Sequence, residues 1–374
     1  MRTDRAESGG AFDLARKRLV VCLGPGGVGK TTLSAALAVS LAAAGRSVAV
    51  LTVDPAPRLL DALGLSADDD AQHEVGLNGV QPTGQPAHRG RLRAMRLDPK
   101  RTFDSVVRSY APSKTAADAI LGNRIYRNLS DALAGVGDYM AMEKLVALDA
   151  DRANDVIVLD TPPAQEALDF LDAPRRLLEL LDSRAVSLLS APAGFLRSGL
   201  GVLDTAARAV LSAFDRATGI NLLPDIQTFV RSFEGMYPGF AERARGAQEL
   251  LRAPETAVVL VTTPEEIRVE QAREFADALA RADLKVAAIV VNRVMPELPN
   301  ASELRAARLP EPLKRKLLRN LRDYQALKRR EARSLKSLRG ALRGDARLLM
   351  VPDLGREPKK LTDLAELAQS LAPT

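Results

Sequence analysis

One stretch carries the first recognisable chemistry. Residues 18 to 32 read Arg-Leu-Val-Val-Cys-Leu-Gly-Pro-Gly-Gly-Val-Gly-Lys-Thr-Thr. The spacing Gly24-x4-Gly29-Lys30-Thr31 is that of a phosphate-binding loop. Glycines without side chains let successive backbone N–H groups turn inward around phosphate oxygens. A helix opening near Lys30 would point its positive end at the same phosphates. Lys30 would reach the β- and γ-phosphates, and the Thr31 hydroxyl would ligate Mg²⁺. The residues expected around the nucleotide are therefore Gly26, Gly27, Val28, Gly29, Lys30, Thr31 and Thr32.

Two aspartates end apolar runs of strand length. Ser47 to Val53 runs into Asp54-Pro-Ala-Pro-Arg, and Asp155 to Leu159 runs into Asp160-Thr-Pro-Pro. Open α/β sheets place their chemistry at the carboxyl ends of strands. Asp160 reads as the carboxylate that holds a Mg²⁺-bound water, the alternative being a helix cap. Asp54 reads as catalytic, the alternative being a cap on the turn that follows it.

These residues need a frame. Apolar runs at 19–23, 47–53, 91–97, 155–159, 256–262, 285–292 and 347–351 read as strands. Helical patterns lie between them: 31–44 closed by Gly45, 101–150 with a break at Gly135 and Gly137, 165–253 with loops at 192–194, Gly219 and Pro238-Gly239, 301–343, and 359–371. Thr263-Pro-Glu-Glu266 reads as a capping box. Residues 66–90 lack periodicity and read as a mobile insertion. The alternation predicts an α/β fold, a doubly wound and mostly parallel sheet of the P-loop NTPase kind. A helical subdomain from 101–150 and 165–253 is inserted in it. Residues 1–17 read as a flexible extension and 18–374 as a single domain.

Composition narrows the rest. The chain has 374 residues, 46% of them hydrophobic, which is enough for a sizeable core. Cys22 is the single cysteine and His73 and His88 are the only histidines, so an intrachain disulfide, a thiolate cluster or a histidine triad is not expected. No signal-peptide core precedes the first strand, and no uncharged apolar run reaches about 18 residues, so a soluble, cytoplasmic protein is expected. Residues 305–347 hold fifteen Lys/Arg against four Asp/Glu. That is a local +11, which leaves −5 for the rest of a chain whose total is +6.

The assembled motifs resemble those of the ArsA-type ATPases, a family that includes arsenical-pump ATPases and the guided-entry ATPases of tail-anchored membrane proteins. Residues 26–32 resemble the family P-loop, Asp54-Pro-Ala its switch I, and Asp160-Thr-Pro-Pro its switch II. Val290-Val-Asn292 and Val351-Pro352 resemble its two adenine-side elements. The resemblance implies an ATPase using ATP and Mg²⁺, working as a homodimer or as a heterodimer with a related ATPase subunit. Asp54 would orient or deprotonate the attacking water, Lys30 would stabilise charge on the transferring phosphoryl group, and Thr31 and Asp160 would serve the metal. Asn292 would hydrogen-bond the adenine, with Pro352 nearby. The expected partner is a membrane-protein client or an anionic surface, and nucleic acid is not expected. The alternatives are a regulatory nucleotide-binding subunit with little activity alone, or a partition-type ATPase.

The chain also departs from that pattern. Pro25 stands where the family has a signature lysine after the first glycine of its loop. The arsenite-binding thiols and the zinc-binding cysteine pair are absent. Few methionines (Met140, Met142, Met236) fall in the helical region, so a Met-rich client groove is not evident. Residues 185–203 carry a single charge, Arg197, and read either as core or as an apolar client surface. Leu318, Leu321, Leu335, Leu338 and Leu342 make the basic region amphipathic. Leu361, Leu364, Leu367 and Leu371 give the last helix one apolar face for packing on the sheet.

Overall fold

A computed structural model describes residues 14–66, 71–80, 90–123, 126, 134–162, 164–182, 235–341 and 346–371. Strand-length apolar runs become strands because both faces of a parallel sheet are covered. The strands are β1 (Leu19–Leu23), β2 (Ser47–Thr52), β3 (His73–Glu74), β4 (Arg91–Arg96), β5 (Val156–Asp160), β6 (Thr256–Thr262), β7 (Val286–Val294) and β8 (Arg347–Pro352). They form one sheet in the order β3-β4-β2-β5-β1-β6-β7-β8. Every pairing is parallel except β3 with β4. β1 and β5 are buried throughout their length.

The described helices are α1 (Lys30–Ala43), α2 (Arg58–Ala62), α3 (Pro99–Tyr110), α4 (Lys114–Gly122), α5 (Ala134–Asp151), α6 (Ala164–Leu181), α7 (Tyr237–Arg252), α8 (Glu266–Arg281), α9 (Ala301–Ala306), α10 (Glu311–Ala341) and α11 (Leu361–Gln369). Two compact units result. One comprises residues 1–96, 151–168 and 251–374, and the other 97–150 and 169–250.

The first unit contains the sheet. Its main core joins Val20, Cys22, Leu33, Leu37, Val50 and Val259 to Leu364, Leu367 and Leu371. The last helix therefore packs chiefly on α1 rather than directly on the sheet. Leu14, in a short 3-10 turn ahead of β1, is buried in the same core. In the second unit Val107, Ile120, Tyr126, Tyr139, Met140, Met236 and Phe240 cluster. All three methionines of the helical region are buried core residues. Glu143 is buried there too, where it pairs with Arg243 and accepts from the Tyr139 hydroxyl. Burial pushes the Glu143 carboxyl above its usual range, opposed by the Tyr139 hydrogen bond and the Arg243 charge.

Several local expectations are corrected. The stretch read as a mobile insertion includes β3, which pairs His73 with Ala94 and Glu74 with Arg93. Gly135 and Gly137 do not break a helix but lie in the first turn of α5. Pro238-Gly239 is not a loop. Pro238 sits in the first turn of α7, where its missing N–H would have had no partner in any case. Gly239 abuts a ring, since a Cβ there would come 2.7 Å from Tyr110. The capping box at Thr263 does not form. α8 starts later, at Glu266, and the Thr263 hydroxyl bonds the Glu265 carboxylate instead. The basic region is two helices, interrupted between Ala306 and Glu311 around Pro310. Residues 185–203, the loops at 192–194 and Gly219, Asp68 to Asp70, His88 and Leu342 lie outside the described residues.

α10 packs on α8, which lies against β6 and β7. Its contacts rest on Leu321, Leu335 and Leu338, the last only 1% exposed. Leu338→Ala should therefore lose about 2 to 4 kcal/mol of stability through the cavity it leaves. Arg319→Ala, on the exposed face of the same helix, should change it by no more than about 0.5 kcal/mol. Equilibrium denaturation of the two variants checks this.

Candidate active site

β1 lies between β5 and β6, and its carboxyl end opens into the glycine loop. Sterics choose the glycines. Gly24 has φ 151°, and a Cβ there would come 2.1 Å from the Val261 carbonyl of β6. Gly29 has φ 91°, and a Cβ there would come 2.4 Å from Asn292 Nδ2. At Gly26 and Gly27 a Cβ would meet nothing within 4 Å. Those two therefore border the open cradle that the N-terminus of α1 faces.

Lys30, the first residue of α1, is 7% exposed. Its ammonium donates to the Gly24 and Pro25 carbonyls, each at 3.0 Å. The next residue turns to the sheet. Thr31 Oγ1 donates to Asp160 Oδ2 at 2.9 Å, Thr52 Oγ1 to the same oxygen at 3.0 Å, and Ser34 Oγ to Asp160 Oδ1 at 3.3 Å. Asp160 is fully buried at the end of β5. Burial pushes its carboxyl up to about 6, opposed by the hydroxyls of Thr31 and Thr52, the charge of Lys30 and the hydroxyl of Ser34. Cys22, one strand over, is pushed up to about 12 by burial and is an inert packing residue. Thr161 anchors the turn after β5 by donating to the Cys22 carbonyl at 2.8 Å.

β2 and β5 are neighbours, with Thr52 opposite Asp160. This brings Asp54, two residues past Thr52, to the same end of the sheet. Its Oδ1 accepts from the Ala56 N–H at 2.9 Å and its Oδ2 lies 4.0 Å from Arg58. On the other side, Asn292 Nδ2 donates to the Val28 carbonyl at 2.8 Å, and its Oδ1 accepts from the Arg293 N–H at 3.0 Å. The β7–β8 register shifts between Val291 and Val294, and Arg293 takes φ 59°. Such an irregularity re-aims a side chain, here the Asn292 amide onto the loop. Pro352 is exposed at the end of β8, separated from β1 by β6 and β7.

The structure thus brings Lys30, Thr31 and Asp160 into one cluster, ties Asn292 to the loop, and leaves Pro352 at the sheet edge. Sequence reading missed Thr52 and Ser34. A hydroxyl at the carboxyl end of β2, two residues before Asp54, and another one turn after Thr31 on the same helix face, are the signals that could have found them. The donor set fits a polyphosphate with a hard cation. Backbone N–H groups and an ammonium line the cradle, and one hydroxyl and one carboxylate sit beside it. No group of three or more His, Cys, Asp or Glu is placed to hold a metal among the described residues, and Mg²⁺ needs few protein ligands because it keeps most of its waters.

A parallel sheet with a glycine loop at its central strand and a buried aspartate on the adjacent one defines a P-loop nucleotide hydrolase. A family model described as anion-transporting ATPase matches residues 17–328, and the chain belongs to this ArsA-type ATPase family. It is similar to "ATPase GET3" of Podospora anserina, at 25% identity over 285 residues, 76% of this chain and 75% of that one. It is also similar to "ATPase ASNA1 homolog" of Trypanosoma cruzi, at 27% identity over 319 residues, 79% of each chain. "ATPase GET3" of Phaeosphaeria nodorum is 28% identical over 298 residues, 78% of this chain and 81% of that one. The activity is ATPase, and no helix among the described residues is long and apolar enough to cross a membrane.

The buried carboxylate makes a pH prediction. An acid whose folded pKa, about 6, lies above its ordinary value of 3.8 binds its proton more readily in the folded state. Its contribution therefore becomes less favourable as pH rises through that window, by up to about 3 kcal/mol. In chelator, the stability of the wild type relative to Asp160→Asn should fall between pH 4 and pH 7 and level off above about 7. Thermal unfolding across that range checks this, and a difference independent of pH would reject it.

Proposed function

We propose that this protein binds and hydrolyses ATP with Mg²⁺ to drive a conformational cycle acting on a membrane-associated or protein client. The observation that carries this reading is the Thr31–Asp160 hydrogen bond. It joins the start of the phosphate-binding helix to the end of a neighbouring strand, so a change at the γ-phosphate is felt by both. Backbone N–H groups of Gly26 to Gly29, with Lys30 and Thr32, hold the phosphate oxygens. Thr31 and Asp160 hold Mg²⁺, which neutralises charge on the β- and γ-phosphates. Asp54 orients or deprotonates the attacking water, and Lys30 stabilises the charge that develops on the phosphoryl group. Asn292 has one amide N–H and one lone pair beyond its bonds to Val28 and Arg293. Those remaining sites recognise the adenine, with Pro352 on that side. The GET3 and ASNA1 relatives are ATPases, which supports the hydrolysis, and the resemblance to the guided-entry ATPases implies a cytosolic dimer with a membrane-protein client.

The experiment is a nucleotide-binding and turnover assay on two variants. Lys30→Ala should abolish tight ATP binding. Asp54→Asn should keep binding and slow hydrolysis by about 10²- to 10⁴-fold, as expected for loss of a general base. Wild-type turnover by Asp54→Asn would reduce Asp54 to the turn cap that its bond to the Ala56 N–H already makes it.

Pro25 favours a second reading, a subunit that is slow alone. A residue without charge or N–H stands where a lysine could reach a partner's phosphates. A cation supplied in trans can be worth about 10³-fold or more in phosphoryl transfer. The isolated protein should then bind ATP–Mg²⁺ and turn it over slowly, and Pro25→Lys should raise the rate. Fast turnover by the pure homodimer, unchanged in Pro25→Lys, would exclude the need for a second kind of subunit.

A further inference from the structure

Helix α10 has two opposite stripes. Its inner stripe carries Leu321, Leu335 and Leu338, with Glu331 accepting from the Met295 N–H at 3.2 Å. Lys328 belongs to the inner side too, paired with Glu297 at 2.8 Å. Its outer stripe is Arg315, Arg319, Arg322, Ala326, Arg329, Arg333 and Lys336. Successive members are four and three residues apart in alternation, which places them in one row down the helix. All six cations are exposed. None makes a hydrogen bond or ion pair among the described residues. At 1.5 Å per residue the row is about 32 Å long, with adjacent charges about 4.5 to 6 Å apart except across Ala326.

Like charges at three- and four-residue spacing weaken a helix, and no ion pair among the described residues offsets them. The row therefore makes no ion pair among the described residues, although Arg333 also lines the groove to α8 together with Glu266 and Glu270. We propose that the outer face of α10 docks this ATPase on a bilayer carrying anionic lipid headgroups.

Geometry favours a membrane over other polyanions. A plane is tangent to a straight helix along its whole length, whereas duplex phosphates wind away from a straight line within a fraction of a turn. Lipid headgroups diffuse laterally and collect under fixed charges. Five of the six cations are arginines, whose planar fork matches phosphate. The row has no aromatic residue on which bases could stack and no Asn or Gln to read them. Outside residues 305–347 the chain is net acidic, which concentrates attraction in the basic region that contains this row. Because the row itself carries no apolar side chain larger than that of Ala326, contact is electrostatic, without insertion, and sensitive to salt.

The inference is independent of the assigned roles in ATP hydrolysis, and its test separates the two. The full-length protein is floated with vesicles of phosphatidylcholine alone or with about one third phosphatidylglycerol, at about 50 and about 300 mM NaCl. It should bind the anionic vesicles only, with partition falling at least about tenfold at the higher salt. The quadruple variant Arg319→Glu, Arg322→Glu, Arg329→Glu, Arg333→Glu should lose binding by several hundredfold or more, since each basic residue at the surface is worth about fivefold. Its ATP binding should be unchanged, which also shows that it is folded. The same four positions changed to Lys should stay within about threefold of wild type. Equal flotation with neutral vesicles, insensitivity to salt, or full binding by the glutamate variant would overturn the proposal. So would displacement from vesicles by duplex DNA acting through the same arginines, because the row would then be a nucleic-acid surface. Should the glutamate variant fail to fold, the lysine variant and the wild-type salt titration decide.

Discussion

A single buried carboxylate holds the catalytic end of the sheet together. Asp160 is fully enclosed and accepts from hydroxyls on β2 and on two positions of α1. A charge taken out of water at this depth survives only if its lone pairs are filled. Three hydroxyls satisfy three of its roughly four lone-pair sites, and in doing so they fix the strand ends of β2 and β5 and the start of the phosphate-binding helix relative to one another. Loss of any one hydroxyl leaves the buried carboxylate with a further unmet lone pair. The arrangement is therefore cooperative, and strand positions and phosphate site cannot vary separately.

The opposite wall of the loop is held by a different device. β7 departs from regular pairing at Asn292 and Arg293, and the departure delivers an amide to the Val28 carbonyl. A side chain at Gly29 would collide with that same amide. Glycine, bulge and asparagine are thus one solution to one packing problem, contributed by residues more than 260 positions apart. The loop is gripped from two sides, by Asp160 through Thr31 and by Asn292 through Val28. The ammonium of Lys30 is drawn onto the loop's own carbonyls between them.

The sheet was legible in the sequence because buried parallel strands are continuous apolar runs, and those runs have no other stable fate at that length. The loop was legible because phosphate chemistry admits few residues at its positions. The strands flanking it gave the acidic residues their meaning. Thr52 and Ser34 were not legible, since a hydroxyl in an apolar strand or helix shows its purpose only when Asp160 is seen opposite. The start of α8 was misjudged because Thr263 found the Glu265 side chain as a partner and did not cap the helix. The two-residue strand β3 could not be read at all. His73 and Glu74 have no apolar pattern, and only pairing with β4 makes them a strand.

The order of strands has a cost in time. β1 is made well before both of its neighbours, with Leu19 opposite Ile157 on one side and Thr256 on the other. At about 5 to 20 residues per second of synthesis, the nascent chain waits about ten seconds or more between β1 and β6. Through that interval Leu19 to Leu23 is an apolar strand with at least one open edge, and the glycine loop lacks Asn292's strand throughout and Asp160's until β5 has been made. Non-local parallel pairings of this kind are slow to form and prone to association while unpaired. The nucleotide site, whose loop is made before either strand that grips it, is therefore complete only after β7 has been made.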